Sequence, residues 1–142
     1  MSAEVLLAQV TEDVLSIAEH EALVAHDGAG AVVSFAGIVR DHDGGRGVQA
    51  LDYSAHPTAA ALVAEVAADV ASRSVGVRRV AVSHRVGPLA VGDVALACAV
   101  SADHRGAAFT ACALLVDEVK ARIPVWKRQV FADGTEEWVG SA

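Results

Sequence analysis

Lys120-Ala121-Arg122-Ile123-Pro124-Val125-Trp126-Lys127-Arg128-Gln129-Val130-Phe131 is where the periodicity of this chain changes. Before it, Phe109, Cys112, Ala113, Val116 and Val119 recur at helical spacing, which predicts a helix from Asp103, a candidate N-cap, to about Arg122. Pro124 ends it, because the proline ring removes a backbone N–H and clashes with the preceding turn. After the proline the period is two, with Val125, Lys127, Gln129 and Phe131 on one face of a strand and Trp126, Arg128 and Val130 on the other. The turn residues Ala132-Asp133-Gly134-Thr135 and a last strand, Glu136 to Val139, complete a hairpin.

Working back from this junction, the sequence predicts a short strand over Glu4 to Val10 and a helix over Glu12 to Ala25 capped by Thr11. A wide hairpin follows, with Ala31 to Arg40 and Val48 to Ser54 as its arms, Asp41 to Gly47 as a polar glycine-rich loop, and Gly44 to Gly47 as its mobile tip. Pro57 opens a second helix whose face is Leu62, Val66 and Val70. Val77 to His84 and Asp93 to Ala102 read as strands joined by a turning connection, 85–92. Helices and strands mix without the regular alternation of a doubly wound parallel sheet. The expected class is therefore α+β, a single domain over residues 1–142 in which a mainly antiparallel sheet packs with three helices.

A chain of this length buries roughly 70% of its unfolded surface in one core. The hydrophobic fraction of 54% and mean hydropathy of +0.41 exceed what such a core needs, which predicts a subunit interface. A net charge of −7 argues against a general nucleic-acid or anionic-membrane binder. Cys98 and Cys112 lie inside apolar runs without metal-ligand spacing, so they read as buried structural thiols, and no metal site is expected. No apolar run reaches the length of a membrane span and the start lacks a basic leader; the expected location is cytoplasmic.

The chemistry gathers at the two lysines. Nine arginines carry every other fixed positive charge, yet Lys120 and Lys127 lie seven apart. A turn at Pro124 folds the second back toward the first, and repulsion between two close ammonium groups favours a neutral amine in one of them, giving a base or nucleophile. At the other end of the third helix, His104 and Arg105 join unpaired backbone N–H groups to form a cradle for a phosphate or carboxylate. Lys120 is about 24 Å further along that helix, so either the ligand is long or two copies complete each site. Arg40 ends its strand as a further anion partner, or pairs with Asp41 or another carboxylate; His84 reads as a satisfied polar position. A non-catalytic α+β module binding a phosphorylated ligand is the alternative reading of these cations.

Four motifs in order, Phe35-Ala36-Gly37-Ile38-Val39-Arg40, His84-Arg85-Val86-Gly87-x-Leu89-x-x-Gly92-Asp93, His104-Arg105-x-x-Ala108-Phe109 and Lys120-x-x-x-Pro124-x-Trp126-Lys127, resemble the large, catalytic subunit of molybdopterin synthase, the MoaE type. The resemblance implies the α/β-hammerhead fold of that family and a sulfurtransferase of molybdenum cofactor biosynthesis that needs no cofactor of its own. Its substrate would be cyclic pyranopterin monophosphate. The two sulfurs would come from a small ubiquitin-like subunit with a C-terminal Gly-Gly thiocarboxylate, bound to a large-subunit homodimer at the centre of a heterotetramer. On this resemblance Lys120 and Lys127 are the catalytic residues, and Arg40, His104, Arg105, Arg128 and Gln129 bind substrate. One departure is Gln129, where many members of the family carry glutamate.

Overall fold

The computed structural model describes residues 3–140; the four terminal positions of the expected single domain lie outside the described residues. Strands β1 (Glu4–Thr11), β2 (Ala31–Ile38), β5 (Val77–Arg85) and β7 (Val94–Ala102) form one sheet in the order β1-β5-β7-β2. Its β1–β5 pair is parallel and the other pairs are antiparallel. A second, antiparallel sheet orders β3 (His42–Asp43), β4 (Arg46–Ala55), β8 (Val125–Phe131) and β9 (Glu136–Gly140), with β6 (Gly87–Ala90) also paired to β4. Three helices, α1 (Ile17–Val24), α2 (Ala59–Arg73) and α3 (Arg105–Arg122), complete the expected α+β fold.

The first sheet is covered on both faces, and its sequence shows why. Along β5, Val80 and Val82 enter the main core while Ala81 points the other way, into a smaller cluster with Val24 of α1; along β7, Cys98 and Val100 alternate in the same manner with Ala99. A strand buried on both faces reads as an unbroken apolar run, as Val94 to Ala102 does. On the main side α2 buries Val63, Val66, Ala67 and Val70, and α3 buries Ala108, Ala111, Cys112, Leu115, Val116 and Val119. Each fully buried Leu or Val contributes about 1.5–3 kcal/mol. Both cysteines are buried, as expected.

Several boundaries differ from the sequence expectation. The first helix starts at Ile17, not Glu12: Ser16 caps it by accepting from the Glu19 N–H, while Thr11 closes a local turn with the Asp13 N–H. Likewise α2 begins after Thr58, leaving Pro57 in the preceding turn. His104 rather than Asp103 occupies the N-cap position of α3, without a side-chain capping bond, and the Asp103 carboxylate is taken by the Arg78 guanidinium. Cys112, Val116 and Val119 pack as expected, joined by Ala108, Ala111 and Leu115, whereas Phe109 is 62% exposed and Ala113 is exposed too.

The expected wide hairpin does not form, because its two arms belong to different sheets. β2 pairs with β7 and stops at Ile38, whereas β4 pairs with β8 and β6. Val39 marks the crossover, its N–H donating to Asp93 and its carbonyl accepting from Gly92, both at 2.9 Å. The loop tip makes its own tight hairpin instead: β3 pairs with the start of β4 around Gly44 and Gly45, at φ +57° and +79°.

Candidate functional site

The crossover, the C-terminal part of α3 and the inward face of β8 converge on one cavity of about 210 Å³ between the two sheets. Each functional side chain arrives by a local rule. Pro124 separates α3 from β8, and the period of two then turns Lys127 and Gln129 inward, opposite Tyr53 and Leu51 of β4. Lys120 reaches the cavity from the last turns of α3, and Arg40 from just beyond β2. The end of α3 is tied to α2 by Arg73 and Arg122, which share Asp69 and Glu118 at 3.0–3.5 Å. Gly37 packs tightly in the wall: a Cβ there would lie 3.3 Å from Leu96 and Phe35.

Three of the chain's fixed cations, Arg40, Lys120 and Lys127, thus line a cavity that no Asp or Glu lines. In a chain of net charge −7 this is a local inversion of sign, suited to an anionic ligand. Arg40 approaches Asp43 at 3.6 Å, answering which carboxylate it meets; Asp41 is instead bonded to His42 at 2.8 Å. Gln129, 3% exposed, donates from Nε2 to Asp43 Oδ2 at 2.8 Å. That bond, helped by Lys127 and Arg40 and opposed by partial burial, holds the Asp43 carboxyl below the usual carboxylate range.

Sequence reasoning undervalued two wall residues. His84 is satisfied, as expected, with Nδ1 donating to the Arg85 carbonyl at 2.8 Å, but its buried ring also lines the cavity beside Lys120. Burial pushes the His84 pKa down against the opposing carbonyl bond, and Lys120 adds to the depression, so the imidazole is held neutral. Tyr53 meets it edge to face, and burial pushes the Tyr53 hydroxyl pKa up. The signal for both was their place at strand ends facing the junction, visible only once the sheets were assembled.

Other expected site residues lie elsewhere in the single chain. Arg128 points to the opposite face of β8, between Asp52 at 3.6 Å and Glu136 at 2.8 Å. His104 and Arg105 are exposed at the start of α3, outside the cavity wall. A family model described as MoaE protein matches residues 10–122. The chain belongs to the MoaE family. Among MoaE relatives, it is 41% identical to the "Molybdopterin synthase catalytic subunit" of Pyrococcus abyssi over 96% of this chain and 91% of the relative. It is 38% identical to the protein of that name from Nostoc sp. over 88% and 76%. The MoaE fold superposes on the crystal structure of molybdopterin synthase from Staphylococcus aureus with a TM-score of 0.86 at 28% identity, covering 94% of this chain and 96% of that one. The fold also matches a chain of a complex of subunits 1 and 2 of molybdopterin-converting factor from Helicobacter pylori, with a TM-score of 0.69 at 18% identity.

Proposed function

We propose that this chain is the catalytic subunit of molybdopterin synthase, a single domain over residues 1–142 that transfers two sulfurs to cyclic pyranopterin monophosphate from the C-terminal thiocarboxylate of a small ubiquitin-like subunit. The observation that carries this reading is the convergence of Arg40, Lys120 and Lys127 on a cavity without a lining carboxylate, in a MoaE chain. A Gly-Gly thiocarboxylate tail and the phosphate-bearing substrate are both anionic and match these cations.

Lys120 acts in acid/base or transient covalent chemistry at the thiocarboxylate carbonyl, while Lys127 stabilises the negative charge that develops there. Arg40 and Gln129 hold substrate in the same cavity. His104 and Arg105 supply anion contacts from a second copy of the chain, since about 24 Å of helix separates them from Lys120 within one copy. An apolar groove lined by Val33, Phe35, Phe109 and Val116, beside the unpaired edge of β2, supports the homodimer this requires. Arg128 could bind substrate only from the opposite face of β8, in place of Asp52 and Glu136. No described helix is long and apolar enough to cross a membrane, and the reaction is assigned to the cytoplasm.

The test combines the purified chain with a thiocarboxylated small subunit and cyclic pyranopterin monophosphate, and assays the dithiolene product. Product that is lost by at least about 100-fold in Lys120→Ala and Lys127→Ala supports the reading. A stable complex with the small subunit that yields no product overturns it.

A further inference from the structure

The Gly44-Gly45 hairpin carries an acidic residue to the rim of the cavity, behind the side chains that line it, and the proposed function gives that residue no task. β3 is two residues long and pairs with Arg46 and Gly47 through a turn whose two central residues are both at positive φ. Glycine takes that conformation without strain, and a hairpin so short contributes little stability by itself. The chain nonetheless fixes it, with the Val48 N–H donating to the Asp41 carbonyl at 2.7 Å and the Ala132 N–H to the Gly47 carbonyl at 2.8 Å. What the hairpin delivers is Asp43.

Three side chains engage the Asp43 carboxylate, and all three line the cavity. The Gln129 amide reaches it from β8 at 2.8 Å, Arg40 approaches at 3.6 Å, and the Lys127 ammonium acts on it through space. The remaining charged groups of the hairpin are engaged elsewhere: His42 with Asp41, and Arg46 with Asp133 and the face of Phe131. A solvated turn carboxylate would not need a buried amide aimed at it. Nor would Gln129, 3% exposed, keep a polar head group in this wall without the partner that satisfies it.

We propose that Asp43 is a positioning residue of this site: fixed by the Gln129 amide, its carboxylate orients Arg40 and Lys127 toward the anionic substrate. The inference rests on the anionic-substrate reading above and adds the group that sets the geometry of its cations. Before substrate arrives, one negative charge at the rim keeps two cations from repelling each other out of the cavity. When the substrate anion binds, Arg40 and Lys127 already point inward and need little reorganisation.

Asp43→Asn isolates the charge, because the asparagine carbonyl still accepts from Gln129 and the hairpin keeps its bond. The exchange variant Asp43→Asn/Gln129→Glu restores one carboxylate and one amide in the reverse order. With the thiocarboxylated partner and cyclic pyranopterin monophosphate, Asp43→Asn is expected to lower kcat about 10- to 100-fold without raising KM, since the cavity becomes more positive but less ordered. The exchange variant should recover kcat to within about threefold of wild type, whereas a role confined to holding the hairpin would leave Asp43→Asn active. Wild-type kcat in Asp43→Asn, or an exchange variant no better than Asp43→Asn, overturns the proposal. A partner-free readout separates it from the functional reading. The Gln129 side-chain amide resonances of the isolated chain should titrate with a carboxylate below the usual range, and that step should vanish in Asp43→Asn. If the amide does not titrate, the proposed contact is wrong whatever the turnover. If it titrates while the wild-type complex makes no product, the reading of function fails and the contact stands.

Discussion

The His84 imidazole meets the Tyr53 ring edge to face, with centroids 5.0 Å apart and planes at 80°. This contact joins the end of β5 in one sheet to β4 in the other, at the wall that Lys120 and Lys127 share. Because the ring is buried and its Nδ1 proton is committed to the Arg85 carbonyl, His84 stays neutral where an exposed histidine would charge.

A pH dependence of stability follows. In the unfolded chain His84 takes up a proton near its ordinary value of 6.5, while in the fold it does so only at lower pH. Between those two values the unfolded state binds more protons, so its stabilising contribution is full above pH 6.5 and is lost as pH falls toward the folded value. Urea denaturation at a series of pH values should show this loss, and His84→Phe, which keeps a ring against Tyr53, should flatten it. Asp41, Asp43, Asp103 and Asp133, all held below their ordinary 3.8, add a separate loss at more acid pH.

Gly44→Ala and Gly45→Ala test the turn. Neither added methyl group would meet an atom within 4 Å, so the cost comes from positive φ alone and should be about 1–2 kcal/mol each by chemical denaturation. Turnover should fall by more than this modest loss suggests, because the turn holds Asp43 against Gln129 and Arg40 at the cavity rim.

The thiols should take no part in sulfur transfer. Burial pushes the Cys98 pKa far up and that of Cys112 to about 11, so little thiolate exists at neutral pH. Alkylation of the folded chain should be slow at both positions, and Cys98→Ala/Cys112→Ala should retain turnover while losing stability. Transfer of sulfur onto either cysteine during turnover, seen by mass spectrometry, would contradict this.

If each site is completed by two copies, inactive variants should complement. Mixing Lys120→Ala with His104→Ala/Arg105→Ala under conditions that exchange subunits should recover up to about a quarter of wild-type activity, through the mixed dimers that contain one intact site. Recovery indistinguishable from the sum of the separate variants would place all these residues' work within one copy.

How much was legible in the sequence varies along the chain. The junction at Pro124 was readable because proline geometry and the change of period are local, and they correctly gave α3, β8 and a strand face shared by Lys127 and Gln129, which the packed sheets then turned inward. The starts of α1 and α3 differ from the sequence expectation because Thr11, Ser16 and Asp103 can each bond nearby backbone, and which one caps depends on what else competes for its side chain; Ser16 capped α1, and Arg78 took Asp103.

By itself, the sequence determined the α+β class, the buried thiols and the four motifs, because backbone sterics, hydrophobic periodicity and residue chemistry act over a few positions. Only the tertiary structure decided that Ala31–Ile38 and Arg46–Ala55 enter different sheets, since a strand's partner is chosen by which distant faces can be buried together. It likewise brought Asp43 to Gln129 across 86 residues and left Arg128 outside the cavity. Long-range pairing of this kind depends on the summed packing of both sheets, and no local pattern in the chain encodes it.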